Sequence, residues 1–242
     1  MATRIGTTQR SRAVRARAAA SGVLTALVTV IIAVAYVIND APGDDRPHTD
    51  PVADYRTMLT GLDIKGRAPM TGYDRELFGP AWTDTVDVDL GHNGCDTRND
   101  ILNRDLTGVD TRPGTSDCVV EKGTLDDPFS GETIRFTRGQ STSSLVQIDH
   151  LVPLADAWQK GAQQWDDQTR RNFANDPVNL LAVKGSLNSQ KGASDAATWL
   201  PPNRAFRCDY AKMIITVKDR YDVWLTRAES EALSTQLDTC AS

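Results

Sequence analysis

The stretch "VQIDHLVPLADAW", Val146–Trp158, sets an aspartate and a histidine side by side at the end of an alternating, β-branched run and follows them with a proline. The alternation through Val146 and Ile148 predicts a strand that stops near Pro153, because proline cannot donate to a ladder. Neighbouring residues on a regular strand face opposite ways, so Asp149 and His150 are not expected to grip one atom together. A His beside an Asp is also commonly a hydrogen-bonded surface or core pair. The surrounding sequence has to decide between that reading and chemistry.

Outward from this strand, "DCVVEKGTL" and "GETIRFTRG" read as short strands bounded by Gly and Asp and suggest a meander. Upstream, "CDTRNDILNRDL" (Cys95–Leu106) carries Ile101, Leu102 and Leu106 at helical spacing, with Asp96 and Thr97 as caps. Downstream, Ala155–Phe173 reads as helix interrupted at Gly161, "VNLLAV" (Val178–Val183) as a strand broken by Gly185, and "SLNSQKGASDAATWL" as a short helix and its exit. The last third predicts two helices, "YAKMIITVKDRYDVWL" and "TRAESEALSTQL", the second opened by a Thr226/Glu229 capping box. Trp199, Tyr210 and Trp224 read as core aromatics. The class is α+β.

Asp149 and His150 therefore close one strand, Asn179 opens another, Asn188 lies on the helix that follows, and Lys191 stands three residues further on. That order and those residue types resemble the ββα-metal, or HNH, nuclease family, with "IDHLVP", "DPVNLLAV" and "SLNSQKG" as the matching pieces. Together with "GCDTRNDIL" and "DAATWLPPN", the chain from Trp82 to Cys240 is similar to secreted HNH proteins related to the C-terminal nuclease domain of GmrSD-type restriction enzymes. One departure is the long interval between His150 and Asn179, filled by the segment carrying Trp158 and Trp165.

The resemblance implies an α+β fold with a ββα-metal core elaborated by further helices and short strands. It also implies metal-dependent hydrolysis of phosphodiester bonds in DNA, with RNA a second candidate substrate and little sequence preference. His150 takes the role of general base, since an imidazole titrates near neutrality. Asp149 and Asn188 supply hard oxygen ligands suited to Mg²⁺ or Mn²⁺. By the same resemblance Asn179 holds the loop around the histidine. Lys191 is a candidate phosphate contact, against the commoner reading of a solvated lysine, and Arg98 is another, against that of a residue fixed in a helix N-terminus beside Cys95. Of the other two histidines, His92 reads as a loop residue and His48 falls in a linker without a role.

The N-terminal 38 residues stand apart, with Arg4, Arg10, Arg12, Arg15 and Arg17, no acid, and then an uncharged run from Ala18 to Ile38. This is an export signal, with "AVA" (Ala33–Ala35) as a small-residue cleavage site, or a membrane anchor, the reading we favour. The arginines place the N-terminus on the cytoplasmic side and the rest outside, at the cell surface or in the medium. Residues 39–53 read as a Pro-, Asp- and Gly-rich linker and 54–242 as the HNH domain. Of 27 basic residues 22 follow the leader, facing all 32 acids, a net of −10 that argues against broad binding to a polyanion. The four cysteines, Cys95, Cys118, Cys208 and Cys240, suit two disulfides in an oxidising compartment, paired with their nearest neighbours along the chain. An exported, non-catalytic binding domain on the same scaffold is the alternative, supported by the acidic charge.

Overall fold

The computed structural model describes residues 52–140 and 142–241, so the expected signal or anchor and nearly all of the linker lie outside the described residues. Among the described residues no helix is long and apolar enough to cross a membrane. The chain begins with α1 (Ala53–Gly61) and, after a 3-10 turn at Arg75–Phe78, reaches α2 (Thr97–Asp105), whose N-cap Asp96 accepts from Asn99 N. Then come β1 (Thr107–Thr111), β2 (Val120–Asp126) and β3 (Thr133–Thr137), an antiparallel sheet in that order. The β2–β3 pair is the expected meander, and β1 is a strand that the sequence did not suggest.

Strand β4 (Val146–His150) leaves that sheet and pairs antiparallel with β5 (Leu180–Lys184), setting Asp149 opposite Leu181 and His150 opposite Leu180. Between them the single interrupted helix of the sequence reading becomes α3 (Leu154–Trp158), a 3-10 turn at Ala162–Gln164 and α4 (Asp167–Asn175). Gly161 takes φ 133°, a value that only glycine adopts readily, and Asp166 restarts the helix by accepting from Thr169 N. Helix α5 (Gly185–Lys191) follows β5 without a loop, and α6 (Arg207–Arg220) and α7 (Arg227–Leu237) complete the chain. A Cβ at Gly185 would lie 2.0 Å from Ser144 O, so glycine lets α5 start pressed against the entry to β4.

The β4–β5 ribbon separates two cores. Its period-2 alternation sends Val146, Ile148, Leu180 and Ala182 towards α2 and the three-stranded sheet, where they join Ile101, Leu102 and Phe136. Leu181 and Val183 face the other way, into the larger core of Trp158, Phe173, Ile214, Ile215 and Leu233. The outer edge of β5 is not left open: Asp105 accepts from Ala182 N at 2.7 Å and Arg104 donates to Leu180 O at 2.7 Å.

Beneath α3 a sealed charge cluster joins distant segments. Lys160 contacts Asp156 at 2.7 Å, Asp195 at 2.9 Å and Glu229 at 2.7 Å, Lys218 reaches Glu229 at 3.0 Å, and Arg67 reaches Asp156 at 2.7 Å and Asp195 at 2.6 Å. This corrects the Thr226/Glu229 capping box. Thr226 does cap α7 through Glu229 N, but the Glu229 carboxylate turns inward to the two lysines. The disulfides are Cys95–Cys118 and Cys208–Cys240, closing loops of sequence separation 23 and 32. Loops of this size contribute roughly 3 kcal/mol each by restricting the unfolded chain. Trp224 stays half-buried, with Nε1 donating to Gly66 O, whereas Tyr210 is fully buried.

Burial alone would raise the Asp195 carboxyl, but Lys160 and then Arg67 outweigh it and hold it below the usual aspartate range. The unfolded chain therefore takes up this proton first as the pH drops, so the stability it contributes is present above about pH 4 and is lost on further acidification. Urea titrations of the wild type should show unfolding free energy falling below about pH 4. Asp195→Asn should lose about 3–5 kcal/mol at neutral pH, as expected for a broken buried pair, and show a shallower acid slope. Equal acid slopes for the two proteins would contradict this account.

Candidate active site

The end of β4 is fixed by one amide side chain. Asn179, fully buried, accepts from Val152 N through Oδ1 at 2.9 Å and donates through Nδ2 to Val152 O and Phe173 O, each at 3.3 Å. Its own carbonyl accepts from Leu151 N at 2.8 Å. The turn that follows His150 is thereby tied to β5 and to the last turn of α4.

A cleft of about 310 Å³ opens beside that turn, and Asp149, His150 and Asn188 line it together with Tyr73, Arg75 and Leu154. The His150 ring stacks on Trp82, with ring centres 5.8 Å apart and planes 16° from parallel. Its Nε2 lies 2.9 Å from Ala174 O. A carbonyl only accepts, so Nε2 carries the hydrogen and, in the neutral ring, Nδ1 keeps a lone pair. Burial pushes the His150 pKa down to about 4, against the pull of the Ala174 hydrogen bond and assisted by the charges of Arg75 and Lys191. The imidazole is thus uncharged at neutral pH with a lone pair on Nδ1, but it is a weaker base than the free imidazole whose near-neutral titration the sequence reading assumed.

Asp149 leaves the opposite face of the strand and is buried against α5. Lys191 is not the solvated lysine that composition suggests. It is fully buried, donates to Asp149 Oδ1 at 2.9 Å and to His150 O at 2.7 Å, and does not line the cleft. Asp149 Oδ2 is also 2.9 Å from this ammonium but receives no directed hydrogen bond. Burial raises the Asp149 carboxyl even against Lys191. Asn188 donates Nδ2 to Gln147 Oε1 at 2.9 Å, which leaves its own Oδ1 available as an acceptor.

Among the described residues no group of three or more His, Cys, Asp or Glu side chains forms a metal-ligand set. The oxygens that fit a hard cation at this cleft are Asp149 Oδ2 and Asn188 Oδ1, a donor set suited to an ion that keeps most of its water.

The remaining candidates sit elsewhere. Arg98 donates to Val146 O at 3.1 Å and to Ser143 O at 3.4 Å, at the start of β4 rather than at the end that carries Asp149 and His150. Lys184 pairs with Glu132 at 2.7 Å. His92 occupies a loop at φ 57°, 3.4 Å from Asp87. Sequence reasoning missed Arg75 and Trp82, because "GYDRELFGPAW" (Gly72–Trp82) has no period and no motif that would single them out. Replacing Asn179 with Ala strands a buried Val152 N–H and two buried carbonyls. It should lower unfolding free energy by about 2–4 kcal/mol in denaturant titrations. A loss well under 1 kcal/mol would show that the turn after His150 is held by other means.

Comparisons with known proteins place the chain. The model for "GmrSD restriction endonucleases, C-terminal domain" matches residues 96–236. A protein of Arthroderma benhamiae named "uncharacterized secreted protein" is 34% identical over 215 residues, covering 88% of this chain and 98% of the relative. No solved structure matches. The matched span runs from the cap of α2 into α7 and contains Asp149, His150, Asn179 and Asn188, and the chain belongs to the family of GmrSD restriction endonuclease C-terminal domains.

Proposed function

We propose that the protein is an exported, metal-dependent endonuclease that hydrolyses phosphodiester bonds in DNA, and in RNA as a second substrate, with little sequence preference. The observation that carries this reading is the convergence of Asp149, His150 and Asn188 on one cleft. The first strand supplies Asp149 and His150 and the helix after the second supplies Asn188, elements in the order of a ββα-metal core. His150, neutral and anchored through Nε2, takes the proton of the attacking water at Nδ1. Its position is held by the Trp82 stack and by Asn179, which acts on the backbone rather than on substrate.

Asp149 and Asn188 would hold Mg²⁺ or Mn²⁺, and a cation bound there supplies charge to offset the phosphate oxygens. Lys191 sets how strongly. Its ammonium already offsets Asp149, so the cation meets a nearly neutral pair and is held weakly, at the exchangeable end of the range for such ions. Export agrees with the family relative named as secreted and with two disulfides, which persist in oxidising compartments. Anchoring by the uncharged run from Ala18 to Ile38, or release after its cleavage, belongs to this proposal.

A non-catalytic binding domain is the second reading. The Lys191 ion pair favours it, because Asp149 is compensated without any metal. Nicking of supercoiled plasmid by the purified protein separates the two. Cutting should require Mg²⁺ or Mn²⁺ and stop with chelator. His150→Ala should lower turnover by roughly 10²- to 10⁴-fold, the usual contribution of a general base. Asn188→Ala should move half-maximal activity to higher metal concentration. Wild-type rates in both variants would remove the site assignment, and no cutting by the folded wild type with either ion would establish the binding domain.

A further inference from the structure

The cleft has one feature that the roles above leave unused. Arg75 is the only cation lining it among the described residues. Its guanidinium makes no hydrogen bond or ion pair with any described residue, although Asp74 and Glu76 flank it. The Asp74 carboxylate is occupied as a cap, accepting from Glu76 N at 2.9 Å. Nearby cations are all engaged: Lys191 by Asp149, Arg67 by Asp156 and Asp195, and Arg98 by two backbone carbonyls.

The backbone beneath Arg75 is firmly mounted. Tyr73 packs on Trp158 with ring centres 5.9 Å apart, and the buried Phe78 lies 6.3 Å from Phe173 and 6.4 Å from Trp158. A long, unpaired guanidinium on a rigid base, lining this cleft and a second small pocket that both reach His150, is a donor fork awaiting an anion. In an exported region of net charge −10, such a local cation has to replace the basic face that other nucleic-acid-binding proteins display.

We propose that Arg75 is the phosphate-binding residue of this cleft, gripping the nucleic-acid backbone next to the bond attacked by the water that His150 deprotonates. This rests on the nuclease reading for its substrate but not for its anion chemistry. The test uses the full-length protein as wild type, Arg75→Ala and Arg75→Lys, with two readouts: plasmid nicking with Mg²⁺, and binding of a fluorescein-labelled single-stranded oligodeoxynucleotide in chelator across a salt series.

Melting temperatures should agree, because the side chain supports nothing in the fold. Arg75→Ala should reduce kcat/KM by roughly 10- to 100-fold, the range of a lost charge-assisted hydrogen bond. In log–log form it should flatten the salt dependence of binding by about 0.7, one phosphate contact on a single strand. Arg75→Lys should restore the salt slope and only part of kcat/KM, since it keeps the charge without the fork. Wild-type kcat/KM and an unchanged salt slope in Arg75→Ala would overturn the proposal while leaving the nuclease intact. If the wild type does not cut, the nuclease reading fails and the binding series still judges Arg75: weaker binding in Arg75→Ala supports it, and equal binding, or none by the wild type, overturns it.

Discussion

Six charges, five of them sealed from water, hold the larger half of this protein in register. Asp156, Asp195 and Glu229 meet Lys160, Lys218 and Arg67, three of each sign, with every side chain but that of Arg67 almost fully buried. Asp156 and Lys160 are only four residues apart, but the other partners come from separate segments, so the cluster forms only when the segment around residue 67, α3, the exit from α5, α6 and α7 have all arrived. Buried ion pairs are no stronger than a good apolar core of the same volume, but they are far less tolerant of misplacement, because a lone buried charge is strongly destabilising. Their contribution here is to specificity of arrangement. The helix that carries Asp156 starts at the proline closing the His150 turn, so the same constraint that orders the helices sets one wall of the cleft.

The β4–β5 ribbon carries that order into the site. It is two strands only, too small to be stable alone, and it survives because each face lies on a different core. Alternation along the strand then has a chemical result. The residue that ends one face is Asp149, directed to α5 and its lysine, and the residue that ends the other is His150, directed to Trp82 and the end of α4. Carboxylate and imidazole reach a common cleft from opposite sides of one strand without touching.

Much of this was legible in the residues themselves. Local signals located the strand ending at His150, the caps at Asp96 and Thr226 and the break at Gly185 between β5 and α5, because each depends on neighbours a few positions away; the cysteine pairing, across 23 and 32 positions, followed the nearest-neighbour expectation. Long-range contacts defeated the reading. Nothing near Lys191 says that its ammonium will be buried under Asp149, and nothing near Glu229 says that its carboxylate will abandon the cap for Lys160, 69 positions away. Arg75 and Trp82 were invisible for the same reason: their places are fixed by Tyr73 and Phe78 packing on Trp158, across some 80 residues of chain. The break at Gly161 is a milder case, where a glycine was noticed but its positive φ, and the restart by Asp166, belong to the three-dimensional path.

The two cystines also bear on how the protein meets an environment containing proteases. Cys95–Cys118 spans the exposed turn between β1 and β2, and Cys208–Cys240 spans the connection between α6 and α7. The first is the kind of surface loop where nicking concentrates, whereas the second is largely buried through Val223 and Leu225. A clip in either place severs the peptide but frees no fragment, since the pieces stay joined through sulfur. For a protein exported as proposed, where damaged chains are not resynthesised in place, a cut at such a loop leaves a cleaved molecule with every part of its cleft still attached.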